Sequence, residues 1–383
     1  MIALFVHELA ASGVARNAVL LASHLKSAGH DVVLVTALPA AGPAGIEHVA
    51  LLRSPLPWRL LEKLAAAVLM FAWLLRTRPA LLLSMGNHGH ATAILATACL
   101  PKRPLRVLRI SNDLARTQAR AGRANLAQRA RNLGAALLVR NADAVVAVAP
   151  MLLDHTSFAK LRRSGRLRVI ENGVDGERAR ALARKPPPHP WLGEPGKVIL
   201  AVGRLSPQKN FFRLIDATAA LQAAVPSRLI IVGSSRDTMR QRLLDHAVRR
   251  GIADRVALVG AVGDIFPWYA HADCFVLPSL WEGAANVLLE AMAVGVPVAS
   301  SITAGNAAAV LDHGRCGLLF DPEDIRGMAR AIGTQLDRAT ALPPGNRADD
   351  YDLSRTMAQW QSLLDELRHA APPRLFQPRC AGS

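Results

Sequence analysis

What most restricts the fold of this chain is an alternation of strands and helices that runs, breaks at a proline-rich stretch and starts again. Short apolar runs at residues 2–6, 31–36, 80–83, 106–110 and 144–148 read as buried strands, and the segments between them carry helical period. Val/Ile/Leu/Ala runs without polar alternation belong to strands covered on both faces, and so to parallel sheets flanked by helices. After Arg184-Lys185-Pro186-Pro187-Pro188-His189-Pro190, the pattern restarts at 198–202, 228–232, 256–259, 274–277 and 296–299. A proline run is stiff and ends helices, which suits a linker. The chain has 383 residues, beyond the size at which a single core keeps growing. The expected organisation is a Rossmann-like domain over 1–184, a linker over 185–197 and a second Rossmann-like domain over 198–345. A last helix over 346–370 returns to the first domain, and 371–383 form a loose tail.

Sheets of this kind bind ligands beyond the carboxyl ends of their strands. The richest segment there runs from Ser279-Leu280-Trp281-Glu282-Gly283 through Asn286-Val287-Leu288-Leu289-Glu290 to Ala291-Met292-Ala293. Glu282 stands beside a glycine where a strand would end. Glu290 interrupts an apolar helical run, where a carboxylate must reach solvent or be held by hydrogen bonds. The pair reads as two acids facing one crevice, against the plainer reading of two solvated glutamates. Val202-Gly203-Arg204-Leu205-Ser206-Pro207-Gln208-Lys209 places two cations in a strand-to-helix connection. Unless they are ordinary surface charges, they can clamp a diphosphate and stabilise the charge that grows as it leaves. Gly233, in Val232-Gly233-Ser234-Ser235, ends the next strand and allows approach to a nucleotide. In the first half, Ser12-Gly13 opens a helix whose N-terminal amides suit a phosphate, the alternative being an ordinary turn. No Gly-x-Gly-x-x-Gly follows any expected strand, so nicotinamide binding loses its main support.

The net charge is +17, and 39 of the 46 basic residues are arginine. Coding bias alone can produce such an excess, but its distribution is uneven. Residues 1–190 hold 26 Lys/Arg against 10 Asp/Glu, net +16, and 191–383 hold 20 against 19, net +1. One half therefore faces something anionic, nucleic acid or an acidic membrane surface. Aromatic interleaving, zinc spacing and helix-turn-helix signals are lacking, which disfavours nucleic acid. The uncharged run 64–75, 12 residues long, is too short to span a bilayer. It is either a core helix or a helix lying among headgroups, with Trp58 and Trp73 at interface depth and Arg53, Arg59, Lys63, Arg76 and Arg78 beside lipid phosphates. Cys99, Cys274, Cys316 and Cys380 share no metal or disulfide spacing and no signal peptide is read, so a reducing cytoplasm is expected. The one Asp-x-Asp, Asp350-Tyr351-Asp352, precedes the last helix and reads as a helix start.

Taken in order, Gly203-Arg204-Leu205-x-x-x-Lys209-Asn210, Val232-Gly233, Val256-x-Leu258-x-Gly260, Tyr269-Ala270-His271-Ala272-Asp273 through Ser279, and Glu282 to Glu290 resemble the second domain of family-4 retaining glycosyltransferases. Gly13-x-x-Arg16, Gly29-His30-Asp31-Val32, Arg109-x-Ser111-Asn112, 141–148 and Asn172-Gly173-Val174-Asp175 resemble the first domain. The resemblance implies the GT-B fold, two Rossmann-like domains facing across a cleft. It implies Arg204 and Lys209 on the donor's diphosphate, Glu290 on the ribose hydroxyls and Glu282 at the transferred sugar. Amides near Asn286, Val287 and Leu288 would reach sugar or phosphate, and Gly13 would complete the phosphate site. Asn112, Asn87 and His88 are candidates near the sugar and acceptor. The implied reaction moves a sugar with retention from a nucleotide diphosphate, UDP favoured, to a bacterial cell-envelope glycan or lipid-linked acceptor. No metal cofactor is expected, and the implied place is the inner face of the cytoplasmic membrane. A nucleotide-sugar epimerase or phosphorylase of the same fold is the alternative. This chain departs from the pattern at Ser12, Ala15 and Ala284-Ala285, so the resemblance does not carry over the shape of the sugar pocket.

Overall fold

The computed structural model describes residues 1–9, 12–112, 126–153, 165–235 and 238–370. The chain divides into two units, Met1–Glu171 with the chain from Thr356 onward, and Asn172–Arg355.

Among the described residues unit 1 holds seven strands, β1 (Ile2–Val6), β2 (Val32–Thr36), β3 (Glu47–Ala50), β4 (Leu81–Ser84), β5 (Leu105–Ile110), β6 (Ala144–Ala147) and β7 (Leu167–Val169). Among the described helices are α1 (Gly13–Ser27), α2 (Arg59–Thr77), α3 (His90–Ala98) and α4 (Leu126–Arg140). The strand order is β3-β2-β1-β4-β5-β6-β7 and every pairing is parallel. Ala3, Phe5, Val33, Val35 and Leu82 pack against Ala66, Met70 and Leu74 of α2 and Ala93 and Ala96 of α3.

Unit 2 begins with α5 (Gly176–Ala183) and continues through β8 (Lys197–Val202), α6 (Phe211–Leu221), β9 (Ser227–Val232), α7 (Met239–Arg249) and β10 (Val256–Gly260). It then runs through α8 (Phe266–His271), β11 (Cys274–Leu277), α9 (Asn286–Ala293), β12 (Val298–Ser301), β13 (Leu318–Phe320) and α10 (Ile325–Leu336). Its parallel sheet has the order β10-β9-β8-β11-β12-β13. Alternate residues of each strand enter opposite cores: Val198, Leu200, Ile230, Phe275 and Leu277 on one face, Ile199, Ala201, Leu229, Ile231 and Val276 on the other. That two-sided burial is why the strands read as unbroken apolar runs.

The chain passes between units at residue 171, ahead of the proline stretch that was expected to separate them. Val174, Ala179 and Leu192 sit in the core of unit 2, and Lys185 pairs with Asp264 at 2.7 Å, so residues 172–197 are packed structure of that unit. The last helix, α11 (Leu353–Ala370), joins unit 1 from Thr356 on. It buries Trp360, Leu363 and Leu364, accepts from His30 through Gln361, and receives Arg168 on Glu366. Its start is held by Asp352, whose Oδ1 accepts from the Ser354 amide and hydroxyl. Among the described residues no helix is long and apolar enough to cross a membrane. The tail 371–383 lies outside the described residues.

Candidate functional site

In unit 2 the strand order reverses between β8 and β11, so the loops leaving those strands open onto one crevice at the sheet's carboxyl edge. The loop after β8 turns at Gly203, whose φ of +155° favours glycine and past which the Lys209 stem runs, 2.7 Å from where a Cβ would stand. It passes through a 3₁₀ turn, Pro207–Lys209, to Asn210, held in the left-handed region by its side-chain amide on the Pro322 carbonyl at 2.9 Å. The loop after β11 carries Ser279 to Glu282. The two meet where Lys209 Nζ lies 2.6 Å from Glu282 Oε1. Ser279 Oγ donates to the same oxygen at 2.7 Å, and Gln208 Nε2 donates to the Trp281 carbonyl at 2.7 Å and lies 3.4 Å from Glu282 Oε2. The Leu280 amide on the Gln208 carbonyl closes the junction. Lys209 and Glu282 are 14% and 13% exposed, a depth at which charges act on one another more strongly than on an open surface. A diphosphate arriving here would compete with Glu282 for the ammonium.

Arg204 is exposed and makes no hydrogen bond or ion pair among the described residues, so its guanidinium stands ready for an external anion. Gly233 has a reason that needs no ligand. A Cβ there would lie 1.8 Å from the Gly203 carbonyl oxygen, because the ends of β8, β9 and β10 are laced together by Gly203 N to Val232 O and Gly233 N to Gly260 O.

Helix α9 begins with no acidic residue in its first turn and no side-chain cap at Ala285. Such an N-terminus attracts anions. Asn286 and Leu288 already donate their amides to Ala284 and Ala285, which leaves the Val287 amide without an acceptor among the described residues. The Leu288 side chain is in the core, so only its backbone faces the turn. Asn286 accepts from Asn172 Nδ2 at 2.6 Å, and Ala285 donates to Asn306 Oδ1 at 3.3 Å, two braces that fix where α9 starts. Glu290 is 8% exposed and accepts from the Tyr269 hydroxyl at 3.4 Å.

In unit 1 the order reverses between β1 and β4. Gly13 is the first residue of α1, behind Ser12, whose hydroxyl accepts from the Ala15 amide. Asn87 staples the loops after β4 and β5, donating to the Asn112 carbonyl at 2.6 Å and accepting from the Ser111 amide at 3.1 Å. His88 beside it is exposed. Two buried groups lie underneath. His90, bonded to Ser84 Oγ at 2.8 Å, is lowered by burial to about 3, and Arg109, which donates to the Met85 carbonyl at 3.3 Å, is lowered by burial to about 10.

The structure thus brings Lys209 and Glu282 into contact and leaves Arg204 facing solvent. Ser279, Gln208, Asn306 and Tyr269 hold the site; the first two and Tyr269 stand within the quoted stretches but were given no role, and Asn306 was not singled out. Ser279 and Gln208 adjoin the motif residues, where neighbourhood was the available signal. Asn306 has none, since only tertiary packing brings it to α9. Among the described residues no three His, Cys, Asp or Glu side chains form a metal-holding group.

Residues 11–178 match the profile Glycosyltransferase Family 4, and residues 196–338 match Glycosyl transferases group 1. The chain belongs to glycosyltransferase family 4. This family-4 chain is 33% identical over 193 residues to the lipopolysaccharide core biosynthesis glycosyltransferase LpsE of Rhizobium meliloti, covering 50% of this chain and 54% of the relative. It is 28% identical over 232 residues to the mannosyltransferase LpsB of the same organism, covering 59% and 64%. The match thus spans a little over half the length of these curated relatives. The sucrose-phosphate synthase of Thermosynechococcus elongatus shares the fold with a TM-score of 0.79 at 22% identity, over 97% of this chain and 99% of that one. HepE of Anabaena, solved with UDP and glucose, does so at 0.76 and 22% identity, over 95% and 99%. These likenesses make the two parallel-sheet units of the family-4 chain a GT-B fold.

Proposed function

We propose that the protein is a retaining glycosyltransferase that moves a sugar from a nucleotide diphosphate, a uridine nucleotide favoured, onto a bacterial cell-envelope glycan or lipid-linked acceptor at a membrane surface. The observation that carries this is the Lys209–Glu282 contact at the switch point of unit 2, in a chain of this family. Lys209 and Arg204 hold the donor's diphosphate, the uncapped start of α9 adds amide charge, and Glu290 takes the ribose hydroxyls. Glu282, kept in place by Ser279, orients the sugar. The acceptor oxygen bonds to the anomeric carbon on the face from which the phosphate oxygen departs. That oxygen takes the acceptor's proton, so no separate base is required. Gly13 completes the phosphate site, and Asn87, His88 and Asn112 are proposed contacts near the sugar and acceptor. The lipopolysaccharide relatives support the acceptor class, and the UDP complex of HepE supports the nucleotide.

A panel of nucleotide sugars is screened by thermal shift, followed by release of nucleotide diphosphate with and without glycan acceptors. Release that requires acceptor supports transfer. Sugar inversion without acceptor would replace this reading with an epimerase, and sugar phosphate formation with a phosphorylase.

A further inference from the structure

Helix α2 is apolar on two opposite sides. Its inner side, Ala66, Ala67, Met70 and Leu74, packs on the sheet of unit 1. On the outer side Leu61, Leu64, Val68, Ala72 and Leu75 recur at three- and four-residue spacing and all are exposed, Val68 to 68%. Trp58, at the helix's N-cap, is 74% exposed. Seven of the thirteen large apolar side chains exposed among the described residues lie between Trp58 and Leu75, so the stripe is a local feature and not the scatter normal on a protein surface. A helix with apolar residues all round is covered on both sides in its working state.

Charge selects what covers it. The exposed cations Arg53 and Arg59 stand before or at the start of the helix, and Arg76 and Arg78 at its end. Glu62 is the one acid between residues 51 and 79, and it turns inward, where His7 Nε2 at 2.9 Å and the Leu56 amide at 3.2 Å hold its carboxylate. A second copy laid on this face would bring arginines against arginines, a like-charge contact that costs affinity. A bilayer with anionic headgroups matches both parts, acyl chains for the stripe and phosphates for the ends.

We infer that the outer face of α2 is a monotopic membrane-seating surface, with α2 lying in the interface plane of an anionic bilayer, Trp58 at headgroup depth and Arg53, Arg59, Arg76 and Arg78 on lipid phosphates. The inference deepens the proposed function, on which it rests for its purpose: a lipid-linked acceptor stays in the bilayer, so the enzyme comes to it. The surface itself stands on the exposed stripe and its charges.

The full-length protein is floated with vesicles of phosphatidylcholine alone and with phosphatidylglycerol added. Two double variants on exposed positions accompany it, Leu64→Gln with Val68→Gln, and Arg59→Gln with Arg76→Gln. Wild type floats with the anionic vesicles and is released as salt rises. Each double variant, with an unchanged unfolding midpoint, partitions about tenfold or more weakly, because two apolar side chains stay in water or two phosphate contacts are lost. Brominated lipid quenches wild-type fluorescence more than that of Trp58→Phe. Vesicle binding that ignores the Leu64/Val68 variant overturns the assignment, as does a wild-type dimer that this variant dissolves while neither protein binds vesicles. A protein that floats through α2 but transfers no sugar would remove the proposed function and leave the surface standing.

Discussion

Lys209 shows how much chemistry one position can carry. Its stem crosses Gly203 and its ammonium sits on Glu282, so removing it leaves a largely buried carboxylate with Ser279 and Gln208 as donors but no counter-charge. Lys209→Ala is expected to lower kcat by about two to three decades, since a cation that meets the departing diphosphate acts mostly in the transition state. Arg204→Ala should do the same with no loss of stability, because Arg204 has no partner among the described residues to leave unsatisfied. Steady-state rates at saturating donor with urea unfolding separate the two, and near-normal rates in both variants would overturn the site. If these cations supply the positive charge, activity should persist in excess EDTA. Activity lost there and restored by Mg²⁺ or Mn²⁺ would mean the charge comes from elsewhere. Most of this site was legible, because Gly203 to Lys209 and Ser279 to Glu290 are contiguous stretches in which unlike residues stand at strand ends. What was not legible is support from afar: Asn306 bracing α9, Tyr269 on Glu290, Asn172 on Asn286.

At the scale of elements, the ten strands expected from apolar runs are all present, and three more, β3, β7 and β13, were not anticipated. All three are sheet edges. An edge strand is covered less, so Glu47–Ala50 and Leu167–Val169 carry exposed charged residues and no run to detect. Gly233 was read as a nucleotide contact, and the β8–β9 junction by itself already demands a glycine there. Gly233→Ala should destabilise unit 2 by roughly 3 kcal/mol or more, since the Cβ meets a backbone carbonyl that has no room to retreat. A urea midpoint within error of wild type would refute that close approach. In unit 1, burial lowers His90 to about 3 against an ordinary 6.5, so the fold holds it neutral while the unfolded chain protonates it. Its contribution is complete above pH 6.5 and is lost as pH falls from there toward 3. Wild type should therefore lose about 2 kcal/mol more than His90→Gln between pH 6.5 and about pH 4.5. Parallel losses in the two proteins would show that His90 is hydrated in the folded state.

For the whole molecule, the division into two units follows from the doubled strand pattern, yet the chain crosses thirteen residues earlier than the expected domain end, at 171 against 184. Proline composition marks stiffness, whereas the boundary is decided by which core takes Val174 and Ala179. The charge asymmetry of +16 against +1 was visible at once, but many of the cations behind it, including Arg116, Arg120, Arg123, Arg129 and Arg131, fall where side chains lie outside the described residues. The donor residues proposed above belong mainly to unit 2, which has cores of its own on both sides of its sheet. A nucleotide that binds the native state alone stabilises it by RT ln(1 + [L]/Kd), about 2.7 kcal/mol at a hundredfold excess. If its contacts lie in unit 2, that gain should appear there first. Hydrogen exchange with and without the tightest nucleotide from the screen is expected to slow most in residues 203–209 and 279–290, with smaller changes across the strands of unit 1 other than near Gly13. Protection confined to unit 1 would place the donor in the wrong half of this account, and with it the roles given to Arg204, Lys209 and Glu290.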